Sequence, residues 1–244
     1  FVSADFNGDG IPDFAVVNYA DETVSILLGN GAGGVGDGTT RVAGSFAVGG
    51  EPWDIVAADF NGDAVLDLAV AEGLENRISI WFANTPGGVG NGTFWEGPKP
   101  GTWEYPVALV ADDLNGDGIN DLASANYWSD NVSLFLGDGA GGFAGGGVLD
   151  VGDRPIDLVT GDFNGDTFTD LAVVNFLSDD VHAFVGDEAG VLALQGVYGA
   201  GPRPVSVATA RLADGKSDLA ICNYYDNAVT LLKTCLLYTS DAAD

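Results

Sequence analysis

Residues 5–13 read Asp5-Phe-Asn7-Gly-Asp9-Gly-Ile-Pro-Asp13, and this nine-residue pattern, Asp-x-Asn-Gly-Asp-x-x-x-Asp, occurs four times in the chain. The other copies span residues 59–67, 113–121 and 162–170, and a fifth, damaged copy ends at residue 218. The last aspartates of successive copies are 54, 54, 49 and 48 residues apart. Repeats of this length cannot bury a core individually, so we expect the units to stack into one body.

Every copy lies between two short apolar segments. In the second repeat these are the proline-led Pro52–Ala58 before the loop and Asp67–Ala71 at its end. A polar turn and a third apolar segment, Ile78–Phe82, follow. A weaker fourth segment closes other repeats near Phe46, Phe143 and Leu192. The segments are short or alternate in polarity and no window keeps a helical period, which predicts an all-β chain.

The number of strands per repeat indicates the architecture. Four strands about every 50 residues is the arrangement of a β-propeller blade, in which radial repetition protects the sheet edges. The alternative, a calcium-binding parallel β-helix, requires much shorter repeats, which the sequence lacks. We therefore predict a β-propeller of four-stranded blades, with about five blades or part-blades near residues 1–48, 49–102, 103–152, 153–201 and 202–234.

The composition limits the partners of the chain. Hydrophobic residues make up 46% of the 244 residues, so this is not a disordered acidic tail in spite of a formal charge of -28. With 36 acidic and 8 basic residues, we expect neither nucleic acid nor an anionic membrane surface as a partner. No stretch approaches the roughly 18 apolar residues of a membrane span, so we expect no membrane insertion.

Both ends of the sequence suggest a piece of a longer protein. The chain contains no Met, and only a few residues precede the first loop, where later copies have a full strand. Residues 235–244, from Cys235 to Asp244, break the repeat pattern and read as a translated sequencing adapter, so we predict that they are not native. A divergent final strand is the alternative. The other cysteine, Cys222, is expected to be a small buried residue in a strand.

The four loops have the residue types of a calcium site. Carboxylate and amide oxygens at positions 1, 3, 5 and 9, with a backbone carbonyl at position 7, favour Ca²⁺ over transition metals and Mg²⁺. Alternate residues of a curled loop converge on one point, which accounts for this spacing. An EF-hand is excluded, because strands flank the loop and position 12 is never the bidentate Glu but Val16, Val70, Ser124 or Val173.

The loop and the strand after it resemble the FG-GAP/VCBS repeats, the calcium-loop propellers of bacterial surface proteins and integrin α-subunit heads. The resemblance covers residues 1–234 and implies a parent ring of seven blades, with about four structural Ca²⁺ sites in this part. The implied side-chain ligands are Asp5, Asn7, Asp9, Asp13, Asp59, Asn61, Asp63, Asp67, Asp113, Asn115, Asp117, Asp121, Asp162, Asn164, Asp166 and Asp170. The implied backbone carbonyl ligands are Ile11, Val65, Ile119 and Phe168.

The loops differ at position 6, where a tight loop needs a positive φ. Gly10 and Gly118 suit this position, whereas Ala64 and Thr167 cost about 1 kcal/mol or more there. We therefore predict weaker binding in the second and fourth loops. The fifth loop, residues 211–218, is one residue short and has lost two ligands, so we predict that it is metal-free, with Arg211 or Lys216 pairing with Asp214 or Asp218.

The sequence shows no catalytic constellation. His182, the only histidine, takes a strand position that is Ser or Thr in other repeats, so we expect a structural residue rather than a general base. A nucleophile elbow, a phosphate loop and a Cys/His metal motif are all absent from the sequence. The loop aspartates recur in every repeat, whereas catalysis needs one site, so we predict that the chain is not an enzyme.

The face opposite the aspartate loops is the candidate binding surface. The turns after the second strand lie there and repeat an Asn and an aromatic residue, at Asn18-Tyr19, Asn126-Tyr127, Asn175-Phe176 and Asn223-Tyr224. Packing between blades is the favoured interpretation of this pair, and an aromatic rim for sugars or peptides is the alternative.

Features that occur in only one repeat are assigned to the same face. They are Trp128, the group Glu72, Glu75 and Arg77, and an insert at residues 93–105 that contains Trp95 and Trp103. Covering a sheet edge is the favoured role of the insert, and ligand binding is the alternative.

The resulting hypothesis is a calcium-binding propeller of a secreted or cell-surface bacterial protein, which acts as a binding or adhesion scaffold for protein or carbohydrate. Extracellular calcium matches modest all-oxygen sites, which the cytosol would leave mostly empty. Two alternatives stay open: the propeller of a polysaccharide lyase or hydrolase whose active site lies outside this chain, and a structural spacer.

Overall fold

The structure is a computed structural model that describes residues 1–211 and 217–233. Within them the chain forms strands and no helix, in five antiparallel sheets that each follow chain order. The first sheet contains β1 (Val2–Ala4), β2 (Asp13–Asn18), β3 (Thr23–Ala32) and β4 (Val35–Ala47). The second contains β5 (Pro52–Ala58), β6 (Asp67–Glu72), β7 (Arg77–Ala83) and β8 (Phe94–Glu96).

The remaining three sheets repeat this order. The third contains β9 (Pro106–Asp112), β10 (Asp121–Asn126), β11 (Asn131–Gly137) and β12 (Phe143–Asp150). The fourth contains β13 (Pro155–Gly161), β14 (Asp170–Asn175), β15 (Asp180–Val185) and β16 (Ala193–Gly199). The fifth contains β17 (Pro204–Arg211), β18 (Ser217–Asn223) and β19 (Ala228–Leu232). The prediction of an all-β chain with four-stranded blades is confirmed.

The first strands of neighbouring sheets lie side by side. β5 contacts β1 and β9, and β13 contacts β9 and β17. The five sheets are therefore arranged as blades around a common axis, with the first strand of each blade innermost. Each aspartate loop joins the first and second strands, so all the loops lie on one face of the propeller and the turns between second and third strands lie on the other.

Four apolar clusters form the core, and each lies between two neighbouring blades. Between the first two blades, for example, Ile26 and Leu28 belong to the same cluster as Leu68 and Val70. The residue at position 2 of each aspartate loop is at most 4% exposed and takes part in one of the clusters: Phe6, Phe60, Leu114 and Phe163. Each loop is thus anchored in the core through the residue that follows its first aspartate.

The face of the fifth sheet that points away from the fourth blade is exposed. In the fourth blade Val174 and Val181 form a cross-strand pair that is fully buried. The equivalent pair in the fifth blade is Cys222 and Val229, and Cys222 is exposed while Val229 is 59% exposed. The prediction that Cys222 is buried is therefore wrong, because no further sheet among the described residues covers this face.

The insert in the second repeat covers an outer edge. The N–H groups of Ile78 and Ile80 donate to the carbonyls of Pro100 and Pro98 at 2.9 and 3.1 Å. The segment with Pro98 and Pro100 therefore forms the edge of the blade, and because proline has no N–H, this edge offers few donors to another strand. Trp95 lies in β8 and contacts Phe82 with ring centroids 4.8 Å apart. Its assignment to the face opposite the loops is wrong: Trp95 packs on the blade edge instead.

Two predictions fall outside the described residues: the fifth loop, with Asp214 and Lys216, and the adapter-like segment 235–244. No helix in the described part of the chain has the length and apolarity that crossing a membrane requires.

Candidate functional site

The first aspartate closes each loop on itself. Asp5 Oδ1 accepts the N–H of Gly8 at 2.7 Å, and Oδ2 accepts the N–H of Gly10 at 2.7 Å. The equivalent carboxylates of Asp59, Asp113 and Asp162 accept the same pair of N–H groups in their own loops. The loop backbone therefore curls around the carboxylate at position 1.

Positions 3 and 5 continue this pattern. In the first loop Asn7 Oδ1 accepts the N–H of Asp9 at 3.0 Å, and Asp9 Oδ1 accepts the N–H of Ile11 at 2.8 Å. The same two bonds recur in the other three loops, so Val65, Ile119 and Phe168 each donate to the aspartate at position 5. The residues predicted to offer carbonyl ligands are thus fixed by the side chain two residues before them.

The aspartate at position 9 differs from the other three donors because it is completely buried. Asp13, Asp67, Asp121 and Asp170 are all 0% exposed. Asp67 Oδ2 accepts the N–H of Phe60 at 3.1 Å, and Oδ1 accepts the N–H of Ala83, at the end of the third strand, at 2.8 Å. The other three make the equivalent pair of bonds. This carboxylate therefore connects the loop, the core and the third strand of its blade.

The buried aspartates carry raised pKa values. Burial, and then the nearby charges of Asp63 and Asp59, raise the pKa of Asp67 to about 6. Burial and the charges of Asp166 and Asp162 raise the pKa of Asp170 to about 6 as well. The pKa values of Asp13 and Asp121 are raised for the same two reasons. Three carboxylates in each loop are thus close enough to repel one another.

The donor set of each loop fits a hard divalent cation, since every side-chain donor is an oxygen. Among residues 1–211 and 217–233, however, no three acidic, His or Cys side chains form a ready-made group around a common centre. The reason is local: the carboxylates at positions 1 and 5 face loop N–H groups. These carboxylates keep lone pairs for a cation, since an oxygen that accepts one N–H group can still bind a metal ion.

Position 6 has the backbone conformation that the sequence predicts. Its φ is 80° at Gly10 and 83° at Gly118, and 65° at Ala64 and 78° at Thr167. The second and fourth loops therefore hold non-glycine residues in the left-handed region. The strain is larger at Thr167 because its side chain is β-branched.

The recurring asparagines at the end of the second strand are structural. Asn126, for example, is buried and donates to Asn131 Oδ1 at 2.8 Å and to Ser133 Oγ at 2.9 Å. Glu72 replaces the asparagine in the second blade, is also 0% exposed, and forms an ion pair with Arg77 at 2.5 Å. The predicted unique group of Glu72 and Arg77 thus serves as a substitute for this interaction within the blade.

The lone histidine is a strand residue, as the sequence predicts. His182 pairs with Val173 across the second and third strands of the fourth blade. Its Nε2 lies 3.8 Å from Asp180 Oδ1, while Nδ1 is buried and without a hydrogen-bond partner.

Aromatic side chains from three blades form a continuous strip on the face opposite the loops. The ring of Trp53 lies 5.2 Å from that of Tyr19 and 6.0 Å from that of Tyr105. Tyr105 in turn lies 6.1 Å from Trp128, which contacts Tyr127 at 5.0 Å. Tyr19, Trp53 and Trp128 are 45%, 43% and 52% exposed. The Asn-aromatic turns therefore both pack between blades and present rings to solvent.

The residue before the first-strand proline organises this face. In the fourth blade Arg154 donates its N–H to Asp130 Oδ1 of the third blade at 2.8 Å, and its carbonyl accepts the N–H of Phe176 at 2.8 Å. Arg203 makes the same bonds to Asp179 and Tyr224 one blade later. Glu51 and Tyr105 hold the same position in the second and third blades, and all four have φ between 52° and 64°.

These pre-proline side chains reach back over the preceding blade. The guanidinium of Arg154 lies over Trp128 at 4.7 Å and over Tyr127 at 5.3 Å. That of Arg203 lies over Phe176 at 4.8 Å. Glu51 accepts a hydrogen bond from the hydroxyl of Tyr105. The hydroxyl of Tyr19 also interacts with Glu51, and this hydrogen bond is the largest cause that raises the pKa of Tyr19 to about 12.

Two aspartates that the sequence reasoning missed connect the inner strands. Asp54 Oδ2 accepts the N–H of Leu109 at 2.9 Å, and Asp157 Oδ2 accepts the N–H of Val207 at 2.8 Å and the hydroxyl of Ser206 at 2.9 Å. Burial raises the pKa of both carboxyls. The signal was present in the sequence: each aspartate lies two residues after the first-strand proline.

Comparison with known proteins agrees with this arrangement. The model of the FG-GAP-like repeat matches residues 5–70 and 113–173, which together make up just over half of the chain. The chain belongs to the FG-GAP-like repeat family. The two matched segments contain all four aspartate loops described above. No curated protein matches the chain in sequence.

Solved structures support the fold of this FG-GAP-like repeat protein. The chain is similar to BBS1N, from its complex with ARL6DN, with 16% identity and a TM-score of 0.62, over 96% of this chain and 64% of that one. It is also similar to a protein from Bacteroides uniformis provisionally assigned as a 6-phosphogluconolactonase, with 17% identity and a TM-score of 0.66, over 95% and 65%. The chain thus spans slightly less than two thirds of these structures, and at such identities the likeness shows the fold alone.

Proposed function

We propose that this chain is a calcium-stabilised β-propeller that serves as a binding scaffold, with one Ca²⁺ in each of the four aspartate loops. The observation that carries the proposal is the burial of a third carboxylate beside two others in every loop. Burial, and after it the charges of the neighbouring loop aspartates, raise the pKa values of Asp67 and Asp170, and a divalent cation relieves the repulsion among these carboxylates. Without a cation, the repulsion among the three carboxylates of each loop is offset only by backbone N–H groups.

The ion has a structural role in this proposal. The aspartate at position 9 already holds the loop to the core residue at position 2 and to the third strand. A cation bound to that carboxylate and to positions 1, 3 and 5 adds oxygen–metal bonds to the same connection. Because Ca²⁺ would then bind the folded state alone, it stabilises the four blades that contain an intact loop by mass action.

The proposal includes an extracellular setting and no catalysis by the chain itself. Sites of this type in extracellular modules bind with dissociation constants of roughly 10⁻⁴ to 10⁻³ M, which matches calcium outside cells. The four loops are equivalent in their donors, and the face opposite them exposes rings from three blades. A repeated structural metal on one face and an aromatic surface on the other suit a scaffold that binds protein or carbohydrate.

The test is a calorimetric titration of calcium-free protein with Ca²⁺. We expect four bound ions per chain, in two classes, with the loops that contain Gly10 and Gly118 filled before those with Ala64 and Thr167. A variant with Asp9→Asn should lose one site of the tighter class. A titration that detects no binding at millimolar calcium would reject the proposal, and four identical sites would reject the ranking of the loops.

A further inference from the structure

The two arginines at the pre-proline position are unusual in this chain. Only 8 of its 244 residues are Lys or Arg, against 36 Asp and Glu. Among the described residues, ion pairs involve Arg77, Lys99 and His182, and neither Arg154 nor Arg203 forms one. Two guanidinium groups thus stay without a carboxylate partner in a strongly acidic protein.

The geometry around both arginines leaves hydrogen-bond donors unused. Arg203 Nη1 is buried and has no hydrogen-bond partner. The guanidinium of Arg154 makes one long hydrogen bond, from Nη1 to Tyr127 Oη at 3.4 Å. A guanidinium has five N–H donors in a planar fork, and a buried donor without a partner costs free energy. Arg203 Nη1 itself is enclosed, but both residues are only partly buried, so an anionic group can approach the remaining N–H groups of each fork.

Both guanidinium groups are held in place before any ligand arrives. The backbone of each arginine is bonded on its N–H side to the preceding blade and on its carbonyl side to its own blade. The guanidinium carbon of Arg154 lies 4.7 Å from the ring centroid of Trp128, and that of Arg203 lies 4.8 Å from the ring centroid of Phe176. Such prior ordering lowers the entropic cost of binding, and the planar fork of a guanidinium matches the two oxygens of a carboxylate.

We propose that this face binds a polysaccharide that carries carboxylate groups at regular intervals, with successive carboxylates on Arg154 and Arg203. The inference deepens the scaffold role and rests on it. The arginines occupy the same position in neighbouring blades, which suits a polymer with repeated charges. The exposed rings of Trp128, Trp53 and Tyr19 continue the surface on the side of Arg154, and they offer flat apolar platforms for the faces of sugar rings.

A peptide fits this surface less well. The turns that form it use their backbone groups among themselves: the N–H groups of Tyr127, Phe176 and Tyr224 all donate to pre-proline carbonyls. An extended peptide would therefore find no strand edge to join, and recognition has to come from side chains. The overall charge of -28 repels any anionic ligand at long range. At physiological salt the screening length is only about 8 Å, so the short-range contacts at the arginines determine whether an anionic ligand binds.

The experiment measures the affinity of the calcium-loaded protein for oligogalacturonate and for its methyl ester, in which the carboxylates are neutral. We expect the free acid to bind and R154Q and R203Q each to weaken it about tenfold, which corresponds to about 1.4 kcal/mol. R41Q makes the same charge change on the exposed strand β4 and should alter affinity less than about twofold. R154K keeps the charge but not the fork, so its affinity should lie between those of R154Q and the unchanged protein.

The possible results test the polysaccharide inference separately from the calcium proposal. Equal affinity for acid and methyl ester, unchanged binding by R154Q and R203Q, or tighter binding of polyglutamate would each overturn the inference. A melting temperature that depends on calcium in every variant shows that folding is intact, so a loss of oligogalacturonate binding then concerns this face alone. If the melting temperature ignores calcium while the arginine variants still lose the polysaccharide, the calcium proposal fails and this inference stands.

Discussion

The buried carboxylate of Asp170 accepts the backbone N–H of Phe163 at 2.7 Å, and Phe163 is the loop residue that enters the apolar layer between the fourth and fifth blades. The other oxygen of Asp170 accepts the N–H of Gly186 at 3.0 Å. One side chain thus fixes the loop, the core and the third strand together. The same relationship recurs in the other three loops, which separates the role of position 9 from that of the more exposed donors.

Because position 9 has a structural role that the exposed position 5 lacks, we expect different effects for substitutions at the two positions of the second loop in calcium-free buffer. Asp67→Asn replaces one acceptor by an NH₂ group that faces a backbone N–H, so we expect a loss of about 1–3 kcal/mol in the free energy of unfolding. Asp63→Asn keeps an oxygen for its bond to Val65 and lies at the surface, so we expect a change below about 0.5 kcal/mol.

Urea unfolding of both variants in excess chelator measures this difference. The matched pair separates a structural carboxylate from a metal ligand, since both variants lose one negative charge from the same loop. Equal destabilisation of the two variants without calcium would contradict the structural role of position 9.

The strained residue at position 6 of the fourth loop predicts a stabilising substitution. Thr167 has a φ of 78°, so Thr167→Gly should raise the free energy of unfolding by about 1 kcal/mol and tighten calcium binding in that loop. Thr169→Gly is the control, because Thr169 is not among the residues with positive φ and glycine there should lower stability. Thermal melts and calcium titrations of the two variants give the comparison. A lower melting temperature for Thr167→Gly would mean that the loop is not strained.

The inner-strand carboxylates predict a pH dependence with a definite sign. Burial raises the pKa of Asp157 above its ordinary value of 3.8, so the folded state holds the proton more tightly than the unfolded state. The contribution of Asp157 to stability therefore falls as pH rises from 3.8 through the raised pKa, and is constant above it.

The difference in unfolding free energy between the unchanged protein and Asp157→Asn isolates this contribution, provided that free calcium is the same at each pH. We expect the difference to become less favourable to the unchanged protein as the pH increases across that interval. Asp54→Asn should give the same trend, because burial also raises the pKa of Asp54. A difference that grows with pH would show that the hydrogen bonds from Val207 and Ser206 outweigh burial.

The repeat pattern predicted most first and second strands well because a proline begins the first strand and the aspartate loop separates the two. Pro52–Ala58 was predicted from the sequence with the bounds that β5 has in the structure. The positive φ at Ala64 and Thr167 followed from the glycines at the same place in the other loops. Repetition thus supplied, within one chain, the comparison that an alignment would otherwise give.

Interactions between blades were harder to predict, because they join residues about 50 positions apart and depend on side-chain direction. The bond from Leu109 to Asp54 and the stacking of Arg154 on Trp128 are both of this kind. Trp95 was assigned to the wrong surface because the length of β8 could not be read from an insert rich in Pro and Gly. Cys222 was expected to be buried because its strand looks like that of a covered blade.

The most direct test of the calcium proposal is the melting temperature of the protein in millimolar Ca²⁺ and in excess EDTA, with Mg²⁺ as the control cation. Four structural sites predict a large rise with Ca²⁺, little change with Mg²⁺, and a smaller rise in a variant that combines Asp9→Asn with Asp117→Asn. The same melting temperature in Ca²⁺ and in EDTA would contradict the account.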